Sequence, residues 1–150
     1  MQLSRLTVVL LIFAATSACH DSTAPSAPSY VLTAVDGHSL PVISWGIDGS
    51  STLLSGTLVL DSGGHALRID YYRDYSANGG GITFERNQQL SGPYTIANDS
   101  ITVRWTSQGQ CGSGPCLPND VGVLSDSTLT LTADFGARTS SVYTYRLVTK

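Results

Sequence analysis

From about residue 30 onward this chain changes character at every second residue, and that period sets what it can fold into. Ile101, Val103 and Trp105 share one parity, with Thr102, Arg104 and Thr106 on the other. Leu129, Leu131, Ala133 and Phe135 alternate with Thr128, Thr130, Thr132 and Asp134. Leu67, Ile69 and Tyr71 do the same against Arg68, Asp70 and Tyr72. A period of two places alternate side chains on opposite faces of a strand, so each segment reads as a strand with one buried face. Clean alternation favours antiparallel pairing, because strands of parallel sheets are covered on both faces. No apolar stripe of helical spacing follows residue 30. Lys150 is the single lysine and Glu85 the single glutamate, while Ser and Thr abound, a composition that suits strands and turns.

Turn chemistry divides the strands. Asp61-Ser62-Gly63-Gly64 separates residues 56–60 from 65–72, Asn98-Asp99-Ser100 separates 94–97 from 101–105, and Ser125-Asp126-Ser127 separates 122–124 from 129–135. Each supplies residues that suit a tight hairpin. The expectation is an all-β antiparallel meander of 8–10 strands. Its edges need cover, and closure into an up-and-down barrel removes them. A two-sheet sandwich is the alternative. Cys111 and Cys116 fall in one loop, so the Cys…Trp…Cys spacing of immunoglobulin domains is missing.

The N-terminus carries a different signal. Arg5 precedes the apolar run from Leu6 to Ala18, whose last residues Thr16-Ser17-Ala18 lead into Cys19. A cation, an apolar segment and small residues before a cut make a secretory signal. The apolar run is shorter than the roughly 20 residues that span a bilayer. Small residues directly before a cysteine resemble the lipobox of bacterial lipoproteins. That resemblance implies cleavage after residue 18 and acylation of Cys19. Plain secretion is the alternative. Acylation by two or three chains would give a durable anchor. His20 stands where enteric bacteria place an inner-membrane retention Asp, which favours the outer membrane where one exists. Residues 21–29, Asp-Ser-Thr-Ala-Pro-Ser-Ala-Pro-Ser, read as a flexible spacer. Extended at about 3 Å per residue, it reaches some 20–30 Å. The expected organisation is a signal at 1–18, lipidated Cys19 and linker to 29, and one domain over 30–150.

Without residues 1–18 the chain keeps seven Lys and Arg against eleven Asp and Glu, a net charge of about −4. Nucleic acid and anionic lipid surfaces are poor partners for that charge. The remaining length suits one domain, expected to be a monomer.

The pattern then resembles the lipocalin-like small lipoproteins of bacteria. The features are the cysteine signal, the Pro/Ser spacer, the opening Tyr30-Val31-Leu32…Asp36-Gly37-His38-Ser39-Leu40-Pro41, and paired hairpins such as Gly92-Pro93-Tyr94-Thr95-Ile96-Ala97-Asn98-Asp99-Ser100-Ile101. The resemblance implies a barrel that binds a small apolar or amphipathic molecule. It carries over no functional residue, because the Gly-x-Trp signature of lipocalins is missing and Trp45-Gly46 stands in the opposite order.

Among candidate sites, Cys111 and Cys116 flank Gly112-Ser113-Gly114-Pro115, and in an exported chain such a pair reads as a disulfide. Parity with Leu67, Ile69 and Tyr71 places Arg73 toward the barrel interior near its mouth, where a guanidinium would meet a ligand carboxylate. A strand end that returns Arg73 to water is the alternative. Tyr71, Arg73 and Trp105 are the candidate ligand contacts, with plain core packing the alternative for the two aromatics. An eight-stranded interior is either just filled by side chains or holds one small ligand. His20, His38 and His65 are scattered, so no metal is expected, and no cofactor motif occurs. Nucleophile elbows, zinc-protease and phosphate-loop motifs are missing, and a non-catalytic role is expected. The expected function is binding of a small apolar or amphipathic ligand in or at the mouth of an envelope-tethered barrel. The alternative is an interaction module that recognises a protein or glycan through its loops.

Overall fold

A computed structural model describes residues 27–78, 80–106, 119–134 and 140–148. Alternation and turn chemistry produce ten strands there: β1 (Ser29–Val35), β2 (His38–Ser39), β3 (Val42–Gly46), β4 (Gly49–Leu60), β5 (His65–Ser76), β6 (Ile82–Ala97), β7 (Ser100–Arg104), β8 (Asn119–Leu124), β9 (Thr128–Asp134) and β10 (Ser140–Val148). The described residues include no helix. All strand pairs are antiparallel.

Closure decides between barrel and sandwich. From β4 to β10 each strand pairs with the next in sequence, and β10 pairs with β1. β1 then pairs with β4 through Ser29↔Val59, Tyr30↔Leu58 and Val31↔Thr57. Eight strands thus close an up-and-down barrel, with β2 and β3 as additions. The hairpins fall where Asp, Asn and Gly predict them. Asn98 and Asp99 both adopt positive φ, 49° and 66°, the left-handed pair of a tight two-residue hairpin.

The hairpins at 61–64, 98–99 and 125–127 gather at one end of the barrel. The Leu60 N–H donates to the Pro28 carbonyl at 3.1 Å, so the chain enters at that end. The other end is extended. β4 and β5 run 12 residues each and β6 runs 16, whereas β7 has five. β6 meets β7 only from Tyr94 to Ala97. Residues 49–53 of β4, 72–76 of β5 and 82–87 of β6 therefore continue past the barrel wall as an arm, with β3 along its outer edge.

The apolar interior holds Leu58, Leu60, Ile101, Val103, Leu129, Leu131 and Tyr145, all essentially without solvent contact. These follow the expected parity on β7 and β9. β5 does not. Its inward residues are Ala66, Arg68 and Asp70, while Leu67 and Ile69 are half-buried on the outer face and Tyr71 is exposed there. The expectation that Leu67, Ile69, Tyr71 and hence Arg73 point inward is corrected. An arginine enters the interior because its charge is matched there, so polarity alone did not mark the outer face of this strand.

Candidate functional site

Inward parity on β5 continues without a break from the barrel interior onto the arm. Arg68, Asp70, Tyr72 and Asp74 form one row, and two arginine–carboxylate pairs divide it into an inner and an outer half.

The inner half is buried. Arg68 is 4% exposed and Asp70 1%. Arg68 Nε donates to Asp70 Oδ2 at 2.7 Å, and Nη2 reaches the same oxygen at 2.6 Å. The guanidinium carbon lies 4.0 Å from the centre of the Tyr143 ring. Asp120, on β8, sits 3.8 Å from Nη1, an ion-pair distance without a formed hydrogen bond. Gly56 makes room for this arrangement, since a Cβ there would stand 2.6 Å from Asp70 Oδ1 and 3.0 Å from Leu32. Two carboxylates thus share one cation. Burial pushes the Asp120 carboxyl above its ordinary range, against the smaller opposing pull of the nearby Trp105 N–H and of Arg68, and Asp70 adds repulsion in the same direction. Burial disfavours the Arg68 charge, but the surrounding groups, Asp70 among them, outweigh it and hold the guanidinium protonated. Burial likewise raises the Tyr72 and Tyr145 hydroxyls, which stay neutral. Asp70 Oδ1, Asp120 Oδ2, Trp105 Nε1 and the Tyr145 hydroxyl are buried without a hydrogen-bond partner.

The outer half is open. Arg86 Nε donates to Asp74 Oδ2 at 2.5 Å, and Ser51 Oγ donates to Asp74 Oδ1 at 2.5 Å. Arg86 stacks on Tyr72, 4.3 Å from the ring centre, as Arg68 stacks on Tyr143. Beside this pair lies a groove of about 480 Å³, lined by Ser44, Trp45, Ile47, Tyr75, Phe84 and Arg86 among others. Trp45 is 79% exposed and Ile47 fully exposed. Ile82 and Phe84 stand out on the inward face of β6. The Asn78 amide donates to Asp48 and ties the two arm turns together.

The three candidate contacts separate. Trp105 packs against the core near Asp120, inside the barrel. Tyr71 and Arg73 lie on the outer face of the arm-bearing strand, and Arg73 pairs with Glu85 at 2.8 Å. A surface cross-strand pair of this kind satisfies the guanidinium without any ligand. Sequence reading missed Arg68, Asp70, Asp120, Tyr72 and Arg86. The available signal was the spacing of Arg68, Asp70, Tyr72 and Asp74 at every second position, which puts them on one face whichever way that face points. Of the aromatic residues described, Tyr30, Tyr143 and Tyr145 are core, Tyr94 and Trp105 flank it, and Trp45, Tyr71 and Phe84 are exposed. Cys19, Cys111, Cys116 and Phe135 lie outside the described residues. Among the described residues no three His, Cys, Asp or Glu side chains converge as a metal site would need.

Comparison with family models, with curated proteins and with solved structures finds no match for this chain.

Proposed function

We propose that this chain is a non-catalytic binding module, held at the bacterial cell envelope by lipid on Cys19, that takes a small amphipathic molecule in the groove of the arm at the barrel mouth. One observation carries the reading. Side chains occupy the described interior, whereas the groove of about 480 Å³ outside it combines exposed apolar residues with an ion pair. Its volume falls in the range of small-molecule sites. Ile47 and Phe84 offer apolar contact, and Ser51, Asp74 and Arg86 offer polar contact at one side. The arrangement suits a ligand with an apolar body and a polar head. The chain enters the barrel near Pro28, at the end remote from the arm.

The test is titration of the full chain with dodecyl sulfate, dodecylphosphocholine and dodecyltrimethylammonium, each below its micelle-forming concentration, read by calorimetry. Saturable binding of at least one, weakened several-fold by Phe84→Ser, is the expected result. Failure of all three to saturate, or an unchanged affinity in Phe84→Ser, would overturn the assignment.

A further inference from the structure

Among the described residues, β3 is an edge strand that no other segment pairs or covers on its outer side. Natural sheets guard free edges with charge, proline, bulges or covering segments. β3 reads Val42-Ile43-Ser44-Trp45-Gly46, with no charge and no proline, and among the described residues it pairs only with β4. The contrast with the far edge of the same arm is direct. Residues 82–90 of β6 also pair on one side only among the described residues, but that edge carries Glu85, Arg86, Asn87, Gln88 and Gln89. One edge of the arm is guarded and the other is open.

The open edge also fits itself. Gly46 pairs with Gly49 across the two-residue turn Ile47-Asp48, and a turn of that length is closed by a hydrogen-bonded pair. Hydrogen-bonded and non-bonded pairs alternate along an antiparallel ladder. Ser44 therefore bonds toward Ser51, while the backbone groups of Ile43 and Trp45 face the open edge. An antiparallel second β3 centred on Ser44 places each Ile43 opposite the other copy's Trp45. Both pairs are then hydrogen-bonded, and both put an exposed Ile against an exposed Trp on the outer face. Ile43 is 52% exposed and Trp45 79%. No like charges meet, because the strand has none.

From this geometry we infer that β3 is a homodimer interface, in which two arms join edge to edge through Ile43 and Trp45. The partner is a second copy of this chain, in place of the monomer expected from sequence. Pairing consumes the open edge of each copy, so the assembly closes at two with an isologous contact. Each Trp45 contributes about 200 Å², scaled from the ring area of an aromatic side chain. With Ile43, Ile47 and the five-residue strand itself, the pair withdraws on the order of 1,000 Å², the low end for specific interfaces. Such a dimer is weak in dilute solution. Confinement of both copies to one membrane raises their effective concentration and favours it. Ser44, Trp45 and Gly46 also line the groove, so dimerisation brings the two grooves to the same seam.

The register makes a sharp test. Ser44 faces its own copy as a non-bonded pair, whose Cα separation of about 4.5 Å falls within the range a disulfide spans. The full chain carrying Ser44→Cys is expressed in a bacterial envelope, oxidised in intact membranes and run on a non-reducing gel. Most of it should run at twice the monomer mass. Ser62→Cys, exposed in a turn at the opposite barrel end, should stay at the background set by the unmodified chain, and so should Ser44→Cys combined with Ile43→Lys. Equal crosslinking of Ser44→Cys and Ser62→Cys, none by either, or crosslinking that survives Ile43→Lys would overturn the interface. Failure here leaves amphiphile binding by the groove intact, and failure there leaves this crosslink unaffected.

Discussion

Replacement of Arg68 by Met probes the feature that most distinguishes this barrel interior. Methionine is unbranched and fills the stem's space without the charge. The substitution removes both contacts to Asp70 Oδ2, at 2.6 and 2.7 Å, the stacking on Tyr143, and the cation nearest Asp120. Asp70 and Asp120 then lie buried with no counter-charge. Breaking a buried pair by removing one partner costs about 3–5 kcal/mol. For a domain of this size that lowers the melting temperature by roughly 10–25 °C. The loss has a pH signature. Burial already raises the Asp120 carboxyl, and without the cation it holds its proton still more tightly in the folded chain than in the unfolded one. The folded state therefore binds more protons, and stability rises as pH falls through that window. Thermal and urea unfolding followed by circular dichroism, at neutral pH and at about pH 5, should show the deficit shrinking on acidification. Asp70→Asn added to Arg68→Met should cost less than the two single effects summed, because the pair then carries no unmatched charge. A loss under about 1 kcal/mol at neutral pH, within the range of an exposed ion pair, would refute the argument, as would a deficit independent of pH.

Further expectations address other parts of the molecule. Asp120→Asn should stabilise the domain at neutral pH. Its advantage over the unmodified chain should fade as pH falls toward the ordinary carboxyl value of 3.8, because burial raises the Asp120 carboxyl and the unmodified fold gains stability as it takes up that proton; paired pH–stability curves measure the difference. Gly122→Ala should abolish or severely weaken folding, since its Cβ would stand 1.7 Å from the Thr130 carbonyl oxygen, whereas Gly49→Ala, at 1.8 Å from the Tyr75 carbonyl oxygen and φ of 151°, should disturb the arm and leave barrel melting nearly unchanged. Cys19→Ser should move the protein from the membrane fraction to the soluble envelope fraction, and retention in membranes would remove the lipid anchor from the proposed function.

Much of the fold was legible because it rests on local chemistry. Asn98 and Asp99 enter the left-handed region as turn residues do, and Leu129, Leu131, Ile101 and Val103 take the parity their neighbours dictate. The candidate site was far less legible. Leu67, Ile69 and Tyr71 look like a buried face because they are apolar, yet Arg68 and Asp70 occupy the interior. What permits that is matched charge, an aromatic ring from Tyr143 and the missing side chain at Gly56. These partners are distant in sequence, and no local pattern announces them.

The sequence by itself determined an all-β chain, its strand periods and its hairpin turns. Those properties follow from side-chain alternation, backbone freedom at particular residues and composition over short windows. Tertiary structure decided closure through Tyr30↔Leu58, the inward face of β5 and the extension of β4, β5 and β6 into an arm. Each depends on which strand lies beside which. A strand carries two faces and two edges, and only its neighbours determine which are covered.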